Sequence, residues 1–200
     1  DTGNWMCASE QAIRYYMDPR NWLVDSPYLF QFLQTNYDET TDAGVYSALN
    51  GTFLYSWENA SLINIVCREA DANPYFIIAR IIQEQGNKGG TTYRMQDTDG
   101  TIYYNLFNIG AGGNGEEVYQ NALKKAKEMG WTSIELCIRG GIKFLLSSYI
   151  AYKQNTIYLN KFDVEPYNGL YTKQYMQNIE APKSEGTSMY NKMKQANLLD

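Results

Sequence analysis

The feature that most restricts the fold is the stretch Asn73-Pro74-Tyr75-Phe76-Ile77-Ile78-Ala79-Arg80-Ile81-Ile82-Gln83-Glu84-Gln85-Gly86. It has an N-cap asparagine, a proline at the first helical position and a glycine stop, so it reads as one complete helix. It reads as a strongly apolar helical stretch, and such a helix belongs against a core. Helical spacing places Ile81 and Ile77 on the side of Glu84, with Arg80 one turn away. A carboxyl held against apolar neighbours has its charged form destabilised and keeps a proton to donate. Glycoside hydrolysis needs such a donor.

The sequence contains no histidine. Histidine zinc sites, Ser-His and Cys-His nucleophile pairs and histidine bases are therefore excluded, and acid–base chemistry falls on Asp, Glu, Tyr, Lys or Cys. Cys7, Cys67 and Cys137 are far apart, odd in number and not in metal-ligand spacing. They read as buried free thiols, with no disulfide framework, metal site or cofactor implied. The 17 basic and 22 acidic residues give a net charge of -5, and no basic run exceeds a pair such as Lys124-Lys125. That balance argues against nucleic acid as a partner. No uninterrupted apolar segment is long enough to insert in a membrane. Two hundred residues at 44% hydrophobic content suffice for one well-buried domain, or at most two small lobes around a cleft. Residues 1–200 are read as a single monomeric domain. The start Asp1-Thr2-Gly3-Asn4, with neither initiator methionine nor signal peptide, suggests a piece excised from a longer protein.

The remaining pattern is mostly helical. Helices are predicted across Glu10–Met17, Gly44–Asn50, Trp57–Ala72, Glu116–Met129, Leu170–Ile179 and Ser188–Ala196. Ser26-Pro27 reads as a cap with a first-turn proline, Thr132-Ser133-Ile134-Glu135 as a capping box, and Ile142–Tyr152 as apolar nearly all round. From Gly89 to Gly113 the chain changes character. Asp99-Gly100 separates Tyr93-Arg94-Met95 from Thr101-Ile102-Tyr103-Tyr104, which predicts a β-hairpin followed by a glycine-rich turn. The glycines and polar residues of this segment supply little apolar burial, so it is expected to be mobile until substrate binds.

Several stretches taken together resemble the glucosaminidase domains of bacterial autolysins, glycoside hydrolase family 73, particularly those of spore-forming, clostridial-type Gram-positive bacteria. They are Ala12-Ile13-Arg14-Tyr15-Tyr16-Met17-Asp18-Pro19-Arg20-Asn21, Ala79-Arg80-Ile81-Ile82-Gln83-Glu84-Gln85-Gly86 and Tyr104-Asn105-Leu106-Phe107-Asn108-Ile109-Gly110-Ala111. Further on come Gly130-Trp131, Gly140-Gly141, Tyr149-Ile150, the run from Asn155 to Val164 and the run from Tyr171 to Ile179. The resemblance implies a mainly α (α+β) fold: a lysozyme-like helical domain with a small β-hairpin lobe beside the substrate cleft. It also implies a secreted, cell-wall-associated enzyme that hydrolyses the β-1,4 bond after N-acetylglucosamine in peptidoglycan.

By the same resemblance Glu84 is the catalytic acid, Tyr175 the active-site tyrosine, and Asn105-Leu106-Phe107 a wall of the cleft. Tyr103, Tyr104, Phe107 and Trp131 are candidates for stacking on sugar faces, with core packing the stronger reading for Trp131; Tyr171 is a further substrate-binding candidate. The second catalytic group stays open among Asp97, Asp99, Glu116 and Glu117, each of which also suits a turn or a helix start. The substrate's own acetamido group is the other option. Two different activities also stay open: a sugar-binding wall module without turnover, and a lytic transglycosylase that leaves anhydro-muramic acid ends.

Overall fold

The computed structural model describes residues 6–23, 27–175, 178–195, 197 and 199. Ser26 of the expected cap, Met176 and Gln177 of the last matching stretch, and Ala196 lie outside the described residues. In chain order the described residues form α1 (Glu10–Met17), α2 (Asp42–Ala48), α3 (Trp57–Glu69) and α4 (Pro74–Gln85). An antiparallel hairpin of β1 (Met95–Gln96) and β2 (Ile102–Tyr103) follows, then α5 (Glu116–Glu128), α6 (Ile134–Ser148), α7 (Ile157–Phe162) and α8 (Ala181–Gln195). This is the mainly helical α+β class. No helix among the described residues is long and apolar enough to cross a membrane. The chain divides into two compact units, residues 1–34 with 149–191 and residues 35–148 with 192–200.

Within the unit built on residues 35–148, α4 is the central helix, packed on α2 and α3. All its residues are buried except Gln83 and Glu84 near its end. Asn73 Oδ1 accepts from the Tyr75 and Phe76 N–H groups at 2.9 and 3.2 Å, and Gly86, at φ 68°, closes the helix by donating to the Ile82 carbonyl. Enclosing Ile77, Ile78, Ile81 and Ile82 contributes on the order of 1.5–3 kcal/mol each.

Helix α6 explains the Gly140-Gly141 pair. A β-carbon on Gly140 would stand 2.2 Å from Trp131 Nε1, and one on Gly141 would stand 2.1 Å from Phe107 Cδ2. Two aromatic rings therefore lie against bare helix backbone. Each mid-helix glycine costs roughly 1 kcal/mol in propensity, and burial of the rings offsets it. The cap of this helix is Ser133 rather than Thr132, since Ser133 Oγ accepts from the Leu136 N–H at 3.2 Å. The stretch expected from Ile142 to Tyr152 is split, with α6 ending at Ser148 and a 3₁₀ turn following at Ile150–Tyr152.

The hairpin pairs Met95 with Tyr103 and Gln96 with Ile102. Its turn is closed by Asp97 N–H to Thr101 O at 2.9 Å and Gly100 N–H to Asp97 O at 3.0 Å, and Gly100 takes φ 87°. The segment buries more than its composition suggests: Met95, Leu106 and Phe107 are 1%, 0% and 5% exposed. The premise for a mobile lobe is thus met only at its polar turns. Cys67 and Cys137 are buried, and burial pushes both thiols up to about 12. Cys7 is exposed, contrary to expectation.

In the other unit, built on residues 1–34 and 149–191, the predicted helix over Leu170–Ile179 does not form across 170–175. The N–H groups of Tyr171, Lys173 and Tyr175 donate to Asp163 O, Asp163 Oδ2 and Asn160 O at 2.9, 2.6 and 2.9 Å. N–H groups bonded to residues 160–163, and not to the carbonyl four residues back, leave no helical turn here. Gly169 at φ 92° and Tyr171 at φ 61° interrupt any helical turn there. Helix α8 starts at Ala181, well before the expected Ser188, with Pro182 in its first turn.

Candidate active site

Glu84 is half-buried in the last turn of α4, so the apolar enclosure expected for it is only half met. Asn108 Nδ2 donates to the Glu84 carbonyl at 2.8 Å and to Glu84 Oε2 at 3.3 Å. Asn108 takes φ 50°, a left-handed conformation that asparagine tolerates better than most residues. Its Oδ1 accepts from Thr92 Oγ1 at 2.6 Å and from Gln85 Nε2 at 2.9 Å. The buried Gln85 also donates to the Asn105 carbonyl at 2.8 Å. Gly90 passes so close that a β-carbon there would meet Gln85 Oε1 at 2.8 Å. A polar network thus ties the helix end carrying Glu84 to both ends of the hairpin segment. The sequence reading missed Gln85, Thr92 and Asn108. Their signal was a pair of amides, one beside the acid and one in the Asn105–Asn108 stretch, in a region whose backbone needs buried hydrogen-bond partners.

The substrate-binding candidates separate by burial. Asn105 is 0% exposed, and its side chain closes a turn by accepting from the Ile109 N–H at 3.1 Å and donating to the Ile109 carbonyl at 2.9 Å. Phe107 packs on Gly141 beneath the surface. Both side chains, expected at the cleft wall, are buried here and build the loop that presents Asn108. Tyr103 and Tyr104 are half-buried, with the Tyr104 N–H bonded to the Trp131 carbonyl at 2.9 Å. Trp131 is 2% exposed and belongs to the core. Tyr171, in the other unit, is 57% exposed and presents its ring to solvent.

Each candidate for a second carboxylate is engaged locally. Asp97 accepts from the Lys127 ammonium, which holds its carboxyl below the usual carboxylate range. Asp99 accepts from the Thr101 N–H at 2.8 Å, and this bond lowers its pKa. Glu116 accepts from Gln120 Nε2 at 3.1 Å, and Glu117 from the Asn114 N–H at 3.3 Å, both at the start of α5. Among the described residues no group of three or more Cys, Asp or Glu side chains is arranged to hold a metal ion. Tyr175 is half-buried, with the Tyr149 ring perpendicular to it at 5.0 Å between centroids.

No family model matches the chain. In sequence it is 32% identical over 160 residues to the Beta-N-acetylglucosaminidase of Bacillus subtilis (strain 168), a match covering 77% of this chain and 18% of that protein. It is 31% identical over 163 residues to the Bifunctional autolysin of Staphylococcus epidermidis, covering 77% of this chain and 12% of that one. The chain therefore spans less than a fifth of the length of these curated relatives. In fold it matches the crystal structure of S. aureus glucosaminidase B, with a TM-score of 0.78 at 21% identity over 96% of this chain and 75% of that one. It also matches a catalytic glutamate-to-alanine mutant of S. aureus Autolysin E in complex with the disaccharide NAG-NAM, with a TM-score of 0.72 at 20% identity over 98% and 82% of the two chains. The chain is a relative of the beta-N-acetylglucosaminidases and bifunctional autolysins, and has the mainly helical fold of the S. aureus glucosaminidase and autolysin structures.

Proposed function

We propose that this chain is the catalytic domain of a peptidoglycan hydrolase, an endo-β-N-acetylglucosaminidase that cleaves the β-1,4 bond following N-acetylglucosamine. The observation that carries the reading is the placement of Glu84. It is the one carboxylate on α4, it stands where that buried helix reaches the surface, and Asn108 orients it. A sugar-binding module has no use for a fixed proton donor at the end of a core helix. The activities of the sequence relatives, and the NAG-NAM disaccharide in complex with one structural neighbour, support the same reading.

In this mechanism Glu84 gives its proton to the glycosidic oxygen as the bond to the anomeric carbon breaks and positive charge develops there. A second group must then satisfy that carbon. Because Asp97, Asp99, Glu116 and Glu117 each have a local partner, the reading favours attack by the substrate's own acetamido oxygen, with the Tyr175 hydroxyl positioning that group. Water then opens the resulting ring, and Glu84, now ionised, takes up its proton. The domain would act as a secreted, wall-associated monomer on glycan strands. Its net charge of -5 gives no long-range attraction to anionic polymers, so other parts of a longer protein would hold it on the wall.

The test is Glu84→Gln, which keeps size and removes the proton. A positioned acid is worth about 10²–10⁴-fold in rate, and the variant should lose at least that much wall hydrolysis while keeping its fold. A folded variant with more than about a tenth of wild-type activity would refute the assignment.

A further inference from the structure

We infer that Asp163 is the positioning residue for Tyr175: from the end of α7 its carboxylate anchors the segment from Tyr171 to Tyr175, and so fixes where the phenol stands. The inference rests on the proposed role of Tyr175. Asp163 is 4% exposed and takes φ 47°, ψ 50° at the C-cap of α7. Ending the helix does not require a carboxylate, since glycine serves that conformation without strain. A buried carboxylate is costly to desolvate, so its partners show what it is for.

Those partners all lie on one segment and its brace. Asp163 Oδ2 accepts from the Lys173 N–H at 2.6 Å, and the Asp163 carbonyl accepts from the Tyr171 N–H at 2.9 Å. The fully buried Gln154 donates through Nε2 to Asp163 Oδ1 and, at 3.0 Å, to the Lys173 carbonyl. Lys173 is thereby held at both its N–H and its C=O. The Tyr175 N–H donates to the carbonyl of buried Asn160 at 2.9 Å, and Asn160 Nδ2 donates to the Gln154 carbonyl, which closes the brace. A backbone N–H bonded to a carboxylate is charge-assisted and roughly twice as strong as a neutral pair. Beyond the backbone, the Lys173 ammonium lies 3.7 Å from the Tyr152 ring centroid, and Tyr149 meets Tyr175 edge to face. With 171, 173 and 175 all fixed on residues 160–163, the Tyr175 side chain leaves the segment in one direction.

The discriminating variant is Asp163→Gly, which keeps the left-handed backbone and the carbonyl bonded to Tyr171 and deletes only the carboxylate. On soluble peptidoglycan fragments kcat should fall on the order of tenfold, because small misplacement of a group at the chemistry is costly, while KM changes by less than about twofold. In a Tyr175→Phe background the same substitution should cost less than about twofold, since the hydroxyl it positions is already gone. Asp163→Asn keeps one acceptor oxygen for Lys173 and should recover part of the rate. Should Asp163→Gly fail to fold, Asp163→Asn carries the same cycle. Equal losses in both backgrounds, or no loss in the first, overturn the inference. A readout free of turnover is the nuclear Overhauser contact between the Tyr149 and Tyr175 rings. It should be present in the wild type and lost in Asp163→Gly, and its persistence in the variant would also overturn the inference. A wild-type protein that leaves peptidoglycan intact, yet loses this contact on substitution, would remove the proposed function and leave the positioning role standing.

Discussion

Asn108→Gly separates the polar network from the backbone that carries it. Glycine accepts the φ of 50° found at this position, so the substitution removes only the side chain. Lost with it are the bonds to the Glu84 carbonyl at 2.8 Å, from Gln85 at 2.9 Å and from Thr92 at 2.6 Å, together with the longer contact to Glu84 Oε2. At about 0.5–1.5 kcal/mol net per bond, three good bonds amount to about 1.5–4.5 kcal/mol. Gln85 keeps the Asn105 carbonyl, and Thr92 has Gln85 Oε1 within 3.2 Å, so the lower part of that range applies. A loss of about 2–3 kcal/mol in urea denaturation is expected, or a Tm lower by about 4–12 °C for a domain of this size. Wall hydrolysis should fall about tenfold in parallel, because Glu84 loses the donor that orients it. Asn108→Ala should be worse by about a further 1–2 kcal/mol, since a β-carbon is strained at this left-handed position. Stability within about 0.5 kcal/mol of wild type, with full activity, would show that the network neither holds the hairpin segment nor orients the acid.

Gly141→Ala should destabilise by about 1–3 kcal/mol through overpacking against Phe107, despite a helix-propensity gain of about 1 kcal/mol. Gly112→Ala, where a β-carbon meets nothing within 4 Å, is the matched control, and equal melting temperatures for the two would refute the packing argument. Asp97 has its pKa lowered by Lys127, so its stabilising contribution is complete above the unfolded value near 4 and is lost as pH falls through the lower folded value. The Asp97→Asn protein should accordingly show a flatter fall in stability than wild type between about pH 5 and pH 2, and identical slopes would count against the ion pair. Among Asp97→Asn, Asp99→Asn, Glu116→Gln and Glu117→Gln, none should approach the loss caused by Glu84→Gln, and the first product should retain its anomeric configuration by NMR. One silent acid variant with an inverted product would transfer the second role to that carboxylate.

What was legible in the sequence was local. Asn73, Pro74 and Gly86 bound α4 because caps and stops act within a few residues, and Asp99-Gly100 marked the hairpin for the same reason. The predicted helix at Leu170–Ile179 failed because its N–H groups found better acceptors on Asp163 and Asn160, partners that no local pattern announces. Helix α7 was visible only as part of a matching stretch. Six residues are too few to show a period, although its Thr156 cap, accepting from the Leu159 N–H at 3.0 Å, was there to be read. At the site, Glu84 could be picked out from its helix and the absence of histidine. The burial of Phe107 could not, because it depends on Gly141, a distant glycine whose missing side chain makes room for a ring, and that of Asn105 depends on bonds to Ile109 and to Ala122 of α5.

Whether Glu84 drives hydrolysis after N-acetylglucosamine is read from the chemical ends of digested peptidoglycan. Purified cell walls treated with wild-type protein and with Glu84→Gln should be reduced with borohydride and analysed by mass spectrometry. New reducing N-acetylglucosamine ends are expected with the wild type and none with Glu84→Gln. Anhydro-muramic acid ends would make the protein a lytic transglycosylase, and walls bound but uncut would make it a binding module; either result rules out hydrolysis by Glu84.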